Sequence, residues 1–343
     1  MQIKKITLVL AVVILGFTSA IAQQLAPLPI DPNVRYGKLE NGLTYYVRHN
    51  EHPKNRAEFY IAQKVGSILE EDDQRGLAHF LEHMAFNGSK SFQEGIPHFL
   101  NRRGIKQFNA QTGQDETIYY INRVPTKDEL LVDSCLLVLK DWSGFLLLDP
   151  VEIDKERGVI FEERRSRRDV GERVREQTDP YLFNHSKYAT RNVIGTVEVL
   201  ENFTPEELRA YYKDYYRPDQ QAVIVVGDVD VVKIEKEIQR LFNPIPKREN
   251  PKPRLVYEIP DNMEPLYTKV IDKEIPNPAI ILTKRIRKDK LITPKEMLKN
   301  NLLRRFYNNI MEKQLEAYIN TRDPYFTTTM VNYGRLVRNY DRW

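Results

Sequence analysis

Apolar and polar positions alternate on both sides of Asn41-Gly42 across Leu39 to Val47. That dipeptide between alternating runs is the strongest short-range signal of a β-hairpin. Ala57 to Val65 alternates as well and predicts another strand. A helix is predicted over Leu77 to Phe86, closed by Asn87-Gly88 as its C-cap. Phe92 to Arg102 reads as a second helix that stops at Gly104, and Ile105 to Val124, rich in Thr, Tyr and Ile, as strands broken by Gly113. In Asp128 to Phe145, residues Leu131, Cys135, Leu136 and Leu139 fall on one side of a helix.

Two later helices carry explicit start signals. Thr204-Pro205-Glu206-Glu207 places Thr at the N-cap, Pro in the first helical position and Glu in the third, a capping box. Thr293-Pro294-Lys295-Glu296 repeats it ahead of an amphipathic stretch that runs to about Tyr318. Gln221 to Val229 reads as a buried strand ending at Gly227-Asp228. Strands and helices alternating in this way predict an α+β fold, a mostly antiparallel sheet with helices on one face. Pro244, Pro246, Pro251 and Pro253 among basic residues mark a linker. The expected organisation is a first domain over 35–245, a linker over 246–254, and 255–343 as the N-terminal part of a second, similar domain that is cut short.

The first 22 residues have the layout of a signal peptide: Lys4 and Lys5, an apolar run from Leu8 to Phe17, then Ala20-Ile-Ala22. The apolar run is short for a bilayer span, so it is expected to be removed, leaving 23–34 as a leader segment. No Cys follows the cleavage site, which argues against a lipid anchor and for a periplasmic or secreted protein without a stable membrane span. Loss of Lys4 and Lys5 takes the formal charge from +4 to +2, which gives no case for nucleic-acid binding. Cys135 is the single cysteine, so no internal disulfide can form, and its apolar neighbours predict a buried small side chain.

The chemistry concentrates in Gly76-Leu-Ala-His79-Phe-Leu-Glu82-His83-Met-Ala-Phe. Residues four apart on a helix lie one above the other, so His79 and His83 can offer two nitrogens to one metal ion, with Glu82 leaning over the same site. H-x-x-E-H is the inverzincin order of a catalytic zinc motif. A further protein ligand is needed to hold zinc while leaving a position open. Glu156 and Glu163, seven apart, share one helix face over two turns, with Glu162 about 100° away. Periodicity leaves Glu162 and Glu163 both open as the ligand.

Around the motif stand Val65-Gly66-Ser67 and Met84-Ala85-Phe86-Asn87-Gly88-Ser89. Then follow Asn109-Ala110-Gln-Thr112, Ile194-Gly195-Thr196, Tyr216-Arg217-Pro218, and Val223 to Gly227-Asp228. In this order they resemble the pitrilysin/insulinase family of zinc peptidases, closely over about 35 to 250. The resemblance implies one zinc held by His79, His83 and Glu163, with Glu82 as general base and Glu156 orienting a His or the water. It also implies that Asn109 and Ala110 lie on an edge strand that binds substrate backbone. In the family an Arg and a Tyr from the C-terminal half complete the site. Tyr307 and Tyr325 are available here, but nothing in the sequence positions them. A peptide substrate and a missing C-terminal half, or a partner subunit of the same kind, are therefore expected. The alternative is a non-catalytic peptide-binding or partner subunit. A purely structural zinc is disfavoured, because structural sites are normally closed by four ligands and Glu82 would have no role.

Overall fold

The computed structural model describes residues 31–288 and 293–343, so the expected signal peptide and most of the leader lie outside the described residues. Two units form, Asp31–Ile281 and one containing Leu282–Trp343. In the first, β1 (Val34–Lys38) and β2 (Thr44–His49) make the hairpin, with Gly42 at φ +97° in the turn. Its Asn41 side chain turns inward and donates to the carbonyls of Phe242 and Ile245 at 2.8 and 2.9 Å. Strand β3 (Arg56–Gln63) is followed by α1 (Leu77–Met84) and α2 (Ile96–Arg102), then by β4 (Phe108–Thr112) and β5 (Thr117–Pro125). Next come α3 (Glu129–Gly144), α4 (Pro150–Arg167), α5 (Val170–Leu182), α6 (Lys187–Thr190), α7 (Val197–Asn202) and α8 (Pro205–Tyr215). Strand β6 (Gln221–Gly227) and α9 (Val231–Phe242) complete the regular elements of this unit.

The six strands lie in the order β1-β2-β6-β3-β5-β4. Every neighbouring pair is antiparallel except β2 and β6, so the α+β expectation holds. Helix α3 packs over β3 and β5, and α9 over β2. Between them, alternate residues of the central strands turn inward: Phe59 and Ile61 of β3, Tyr119 and Ile121 of β5, Val223 and Val225 of β6. Trp142 of α3 is fully buried and stacks on Tyr119, ring centres 5.4 Å apart. Cys135 is buried in the same core, which pushes its thiol up to about 12.

Three expected boundaries shift. The second helix starts at Ile96, because residues before it form a turn around Gly95 at φ +91°. The buried strand ends at Gly227 and buries only alternate residues, since its other face is half-exposed. Helix α1 ends at Met84 with Ala85 as its right-handed cap, so Gly88 is not a left-handed stop. Gly88 is instead where the chain passes close to other backbone: a Cβ there would lie 3.0 Å from the Gln93 carbonyl oxygen and 3.1 Å from Leu147.

Beyond α9, residues 243–284 carry no helix or strand. The second unit holds β7 (Arg285–Arg287), α10 (Pro294–Ile319), β8 (Gly334–Val337) and β9 (Tyr340–Arg342), with the strands in the order β7-β9-β8. The Thr293 capping box opens α10 as the sequence predicts. None of its residues is buried, and Met297, Leu302, Leu303, Phe306 and Ile310 are between 45% and 63% exposed.

Candidate metal centre

Helix α1 spans eight residues, and all of them except His83 are buried. A helix this short has little stability of its own, so the surroundings must hold it. At its N-terminus the Glu70 carboxylate, fully buried, accepts the backbone N–H groups of Gly76 at 3.0 Å and Ala78 at 2.9 Å. This is a side-chain cap supplied from outside the helix, its two oxygens accepting from orphan N–H groups at the electropositive end of the dipole. Burial pushes the Glu70 carboxyl up to about 8, with the two N–H groups and Arg191 pulling the other way. At the other end the Trp142 indole donates to the Ala85 carbonyl at 2.8 Å. The 194–196 segment lies against the helix start because two glycines permit it: a Cβ on Gly195 (φ +77°) would sit 2.4 Å from the Arg75 carbonyl oxygen and 2.5 Å from the Gly76 Cα.

Helix α4 is held differently. Asp149 caps it by accepting from Val151 and Glu152, Pro150 takes the first position, and only Ile153 and Ile160 are buried. Arginines fasten it instead. Arg157 donates to the carbonyls of Leu200 and Phe203, both at 2.5 Å, and its guanidinium lies 3.9 Å from the centre of the Phe203 ring. Arg164 donates to the Gly195 carbonyl at 2.7 Å. This orientation turns Glu156 and Glu163 toward α1 and leaves Glu162 69% exposed, paired with Arg165 on its own helix.

Glu163 Oε2 lies 3.1 Å from His83 Nε2 and 3.6 Å from His79 Nε2. One ligand atom from each of these three residues falls within 4.8 Å of the others. Glu163 Oε2 is buried and takes no hydrogen bond, and neither does His79 Nδ1. An acceptor without a donor, facing two imidazole nitrogens, is an arrangement that costs stability unless a metal cation, or a proton on His83, sits among them. The donor set of two His and one carboxylate fits a divalent cation with one position left open. The other Glu163 oxygen pairs with Arg167, one turn further along α4. Glu156 Oε1 lies 2.8 Å from His83 Nδ1 and its Oε2 accepts from Asn87 at 3.4 Å. A neutral His83 bonded there through Nδ1–H keeps its Nε2 lone pair toward the cluster.

The charges match this geometry. Burial, helped by His83 and Arg167, holds His79 down to about 3, so its imidazole is neutral. Burial acts the same way on His83, but the Glu156 hydrogen bond and the charges of Glu156, Glu163 and Glu82 outweigh it and raise the group. Glu156 is lowered, chiefly by the bond to His83. Burial raises Glu82, against the pull of Thr112 and His83.

Asn109 and Ala110 stand on β4, which among the described residues pairs with β5 alone and packs against α1. Asn109 is exposed and Ala110 buried, as alternate residues of a strand must be. In the second unit Tyr307 packs on Trp343, ring centres 4.4 Å apart, and Tyr325 is 95% exposed. Glu70, Asn87 and Arg167 are contributors that the sequence pattern does not single out. Arg167 carried a signal, since it stands four residues after Glu163, the spacing of a helical ion pair. Glu70 carried none, because its cap closes through a turn rather than within a helix.

Among the described residues no helix is long and apolar enough to cross a membrane. Residues 45–189 match the insulinase family (peptidase family M16), and 202–321 match the peptidase M16 inactive domain. The probable zinc protease PqqL of Haemophilus influenzae is 35% identical over 253 residues, covering 71% of this chain and 27% of that protein. The zinc protease PQQL-like protein of Arabidopsis thaliana is 30% identical over 328 residues, 92% of this chain and 33% of that protein. The chain thus spans about a quarter to a third of the length of these relatives. The crystal structure of the first half of the periplasmic protease PqqL from Escherichia coli superposes with a TM-score of 0.81 at 25% identity, over 92% of this chain and 68% of that one. With two successive M16 matches that together take in more than half of its residues, the chain belongs to the insulinase (M16) peptidase family.

Proposed function

We propose that this protein is a zinc-dependent metalloendopeptidase that hydrolyses peptides or unfolded polypeptides, with residues 35–245 as its catalytic domain. The observation that carries the reading is the unpartnered Glu163 Oε2 facing His79 and His83, with the buried Glu82 carboxylate on the same helix. His79, His83 and Glu163 would hold the metal. When bound, zinc polarises the scissile carbonyl and lowers the pKa of its water toward ~7. Glu82 takes the proton of the attacking water and returns it to the leaving amine. Its burial, which raises its pKa, suits a group that must both accept and release a proton near neutral pH. Glu156 holds His83 in the orientation that keeps Nε2 directed at the cluster. Substrate backbone adds to the side of β4 that has no strand beside it among the described residues, by Asn109 and Ala110, which gives recognition that depends on extended conformation more than on sequence.

A partner is part of this proposal. The chain covers a fraction of its relatives, and a mitochondrial-processing peptidase beta subunit from Saccharomyces cerevisiae is among them at 30% identity. A C-terminal half or a second subunit is expected to close over the substrate. Export to the periplasm is proposed from the first 22 residues, in keeping with the periplasmic relative from Escherichia coli. The second reading is a non-catalytic peptide-binding subunit, which the inactive-domain match over 202–321 favours for that part of the chain. Zinc content, measured together with cleavage of a quenched unstructured peptide by wild type and Glu82→Gln, separates the two. One zinc per chain with cleavage that the variant loses supports the peptidase. A zinc-free chain, or cleavage unchanged in the variant, overturns it.

A further inference from the structure

The end of α4 and its C-cap place three guanidinium groups, those of Arg164, Arg167 and Arg168, on one side just past Glu163. A cavity of about 60 Å³ opens there, lined by Arg164, Arg167, Arg168, Glu172, Glu176 and Asn192 among others. Its charges are not balanced. Glu172 is already engaged, its Oε2 accepting from Arg175 outside the lining and its Oε1 from Asn192 of the lining at 2.7 Å. Arg164 is half-buried and spends one N–H group on the Gly195 carbonyl. Arg167 turns back onto the metal-facing carboxylate of Glu163. Arg168 makes no ion pair with any carboxylate among the described residues, which leaves the exposed Glu176 as the sole lining acid not already engaged. Cations at a helix C-terminus are favourable in themselves. The dipole does not, however, account for three of them converging on one cavity that adjoins the cluster through Arg167.

We propose that this cavity is a subsite for a carboxylate of the peptide, so that substrates carrying an acidic group close to the scissile bond are preferred. The proposal rests on the peptidase reading above. Arg167 stands one helical turn, about 5.4 Å, beyond Glu163. An extended peptide advances about 3.3 Å per residue, so the acidic group belongs within about two residues of the bond cut. Guanidinium groups receive carboxylates in a two-pronged geometry that amides do not match. Both an acidic side chain and a free C-terminal carboxylate have this chemistry.

The test uses the zinc-loaded full chain carrying Glu82→Gln, so that peptides bind without being consumed. One Glu is walked along a neutral, dye-labelled, C-terminally amidated peptide, with Gln at each position as the reference. A parallel set ends in a free carboxylate at each position. Fluorescence anisotropy should show Glu binding about fivefold more tightly than Gln at one or two positions, the size expected of a partly exposed ion pair. The preference should shrink at ~1 M salt, where screening acts within about 3 Å. Adding Arg168→Gln should bring the Glu-to-Gln ratio to about one and Arg168→Lys should restore part of it. Arg165→Gln, the same charge change outside the cavity, should leave the ratio as it was. A preference shown by the free-acid set alone assigns the subsite to chain ends. Equal binding of Glu, Gln and free-acid peptides overturns the subsite while leaving the peptidase reading intact, and so does a preference that survives Arg168→Gln. Failure to bind zinc or any peptide overturns both.

Discussion

Helices α1 and α4 face each other across the His79, His83 and Glu163 cluster, yet they are built on opposite terms. Helix α1 has eight residues, seven of them buried, with its ends tied by the Glu70 carboxylate and the Trp142 indole. Helix α4 has 18 residues and buries two, and is fixed by guanidinium groups on backbone carbonyls in and around α7. The first is positioned by a core, the second by a few directional bonds. Two imidazoles on the rigid element and one carboxylate on the more exposed element therefore make a site whose two halves should respond differently to mutation.

The largest effects belong to α1. His79→Ala or His83→Ala should abolish stoichiometric metal, read by elemental analysis, because each removes one of the three proposed protein ligands. Glu82→Gln should keep the metal and lose turnover, since an amide cannot take the water proton. Metal retained in full by either His variant would show that α1 is not the primary holder.

On α4 the effects should grade by direction of the side chain. Glu163→Gln should cut metal affinity strongly, Glu156→Gln by about 10–100-fold, and Glu162→Gln hardly at all. Equal losses at 162 and 163 would mean that the phase of this helix is misassigned.

The anchors come next. Glu70→Ala leaves the buried N–H groups of Gly76 and Ala78 without a partner, so it should cost about 1–3 kcal/mol in denaturant unfolding. Arg157→Ala removes the donor of two part-buried hydrogen bonds, and should cost about 1 kcal/mol, with weaker metal binding through a looser α4. A larger loss from Arg157→Ala than from Glu70→Ala would reverse the comparison.

The smallest effect is a proton count. His79 is already neutral, being held down to about 3, whereas His83 is raised. Metal binding at pH just below the raised His83 value should release about one proton rather than two. In the metal-free protein the His83⁺–Glu156 contribution is present below the unfolded His value and is lost as pH rises through the raised folded one. The same pair fades at the acid end, as pH falls through the lowered value of Glu156. Two protons released on calorimetric titration would contradict the assigned state of His79.

The two helices were also unequally legible. The spacing of His79, Glu82 and His83 exposes α1 directly, because a helix repeats its face every three to four residues. The same rule narrows α4 to Glu162 or Glu163, and the docking of Arg157 and Arg164 onto the 195–203 segment, which contains α7, turns Glu163 inward. Capping boxes at Thr204 and Thr293 place two helix starts, yet α8 buries Leu208, Tyr211 and Tyr215 while α10 buries nothing. A cap is local; burial needs a partner surface. Helix α9 follows an Asp230 cap with Ile234, Ile238 and Leu241 at helical spacing and could have been read, whereas α5 contains Pro180, buries no residue and carries little apolar signal.

Strand β4 carries one further consequence, for the protein's own solubility. Its residues, Phe108 to Thr112, include no Lys, Pro or bulge, and among the described residues one side of its ladder has no strand beside it. Natural sheets usually blunt such borders, since an open row of amides will pair with any extended chain. A border left available for that purpose cannot tell a foreign unfolded chain from a sister molecule still folding. The protein should therefore be most prone to assemble with itself during synthesis and refolding, before extended ligands are present to occupy the row, and a short unstructured peptide added at that stage should act as a folding aid.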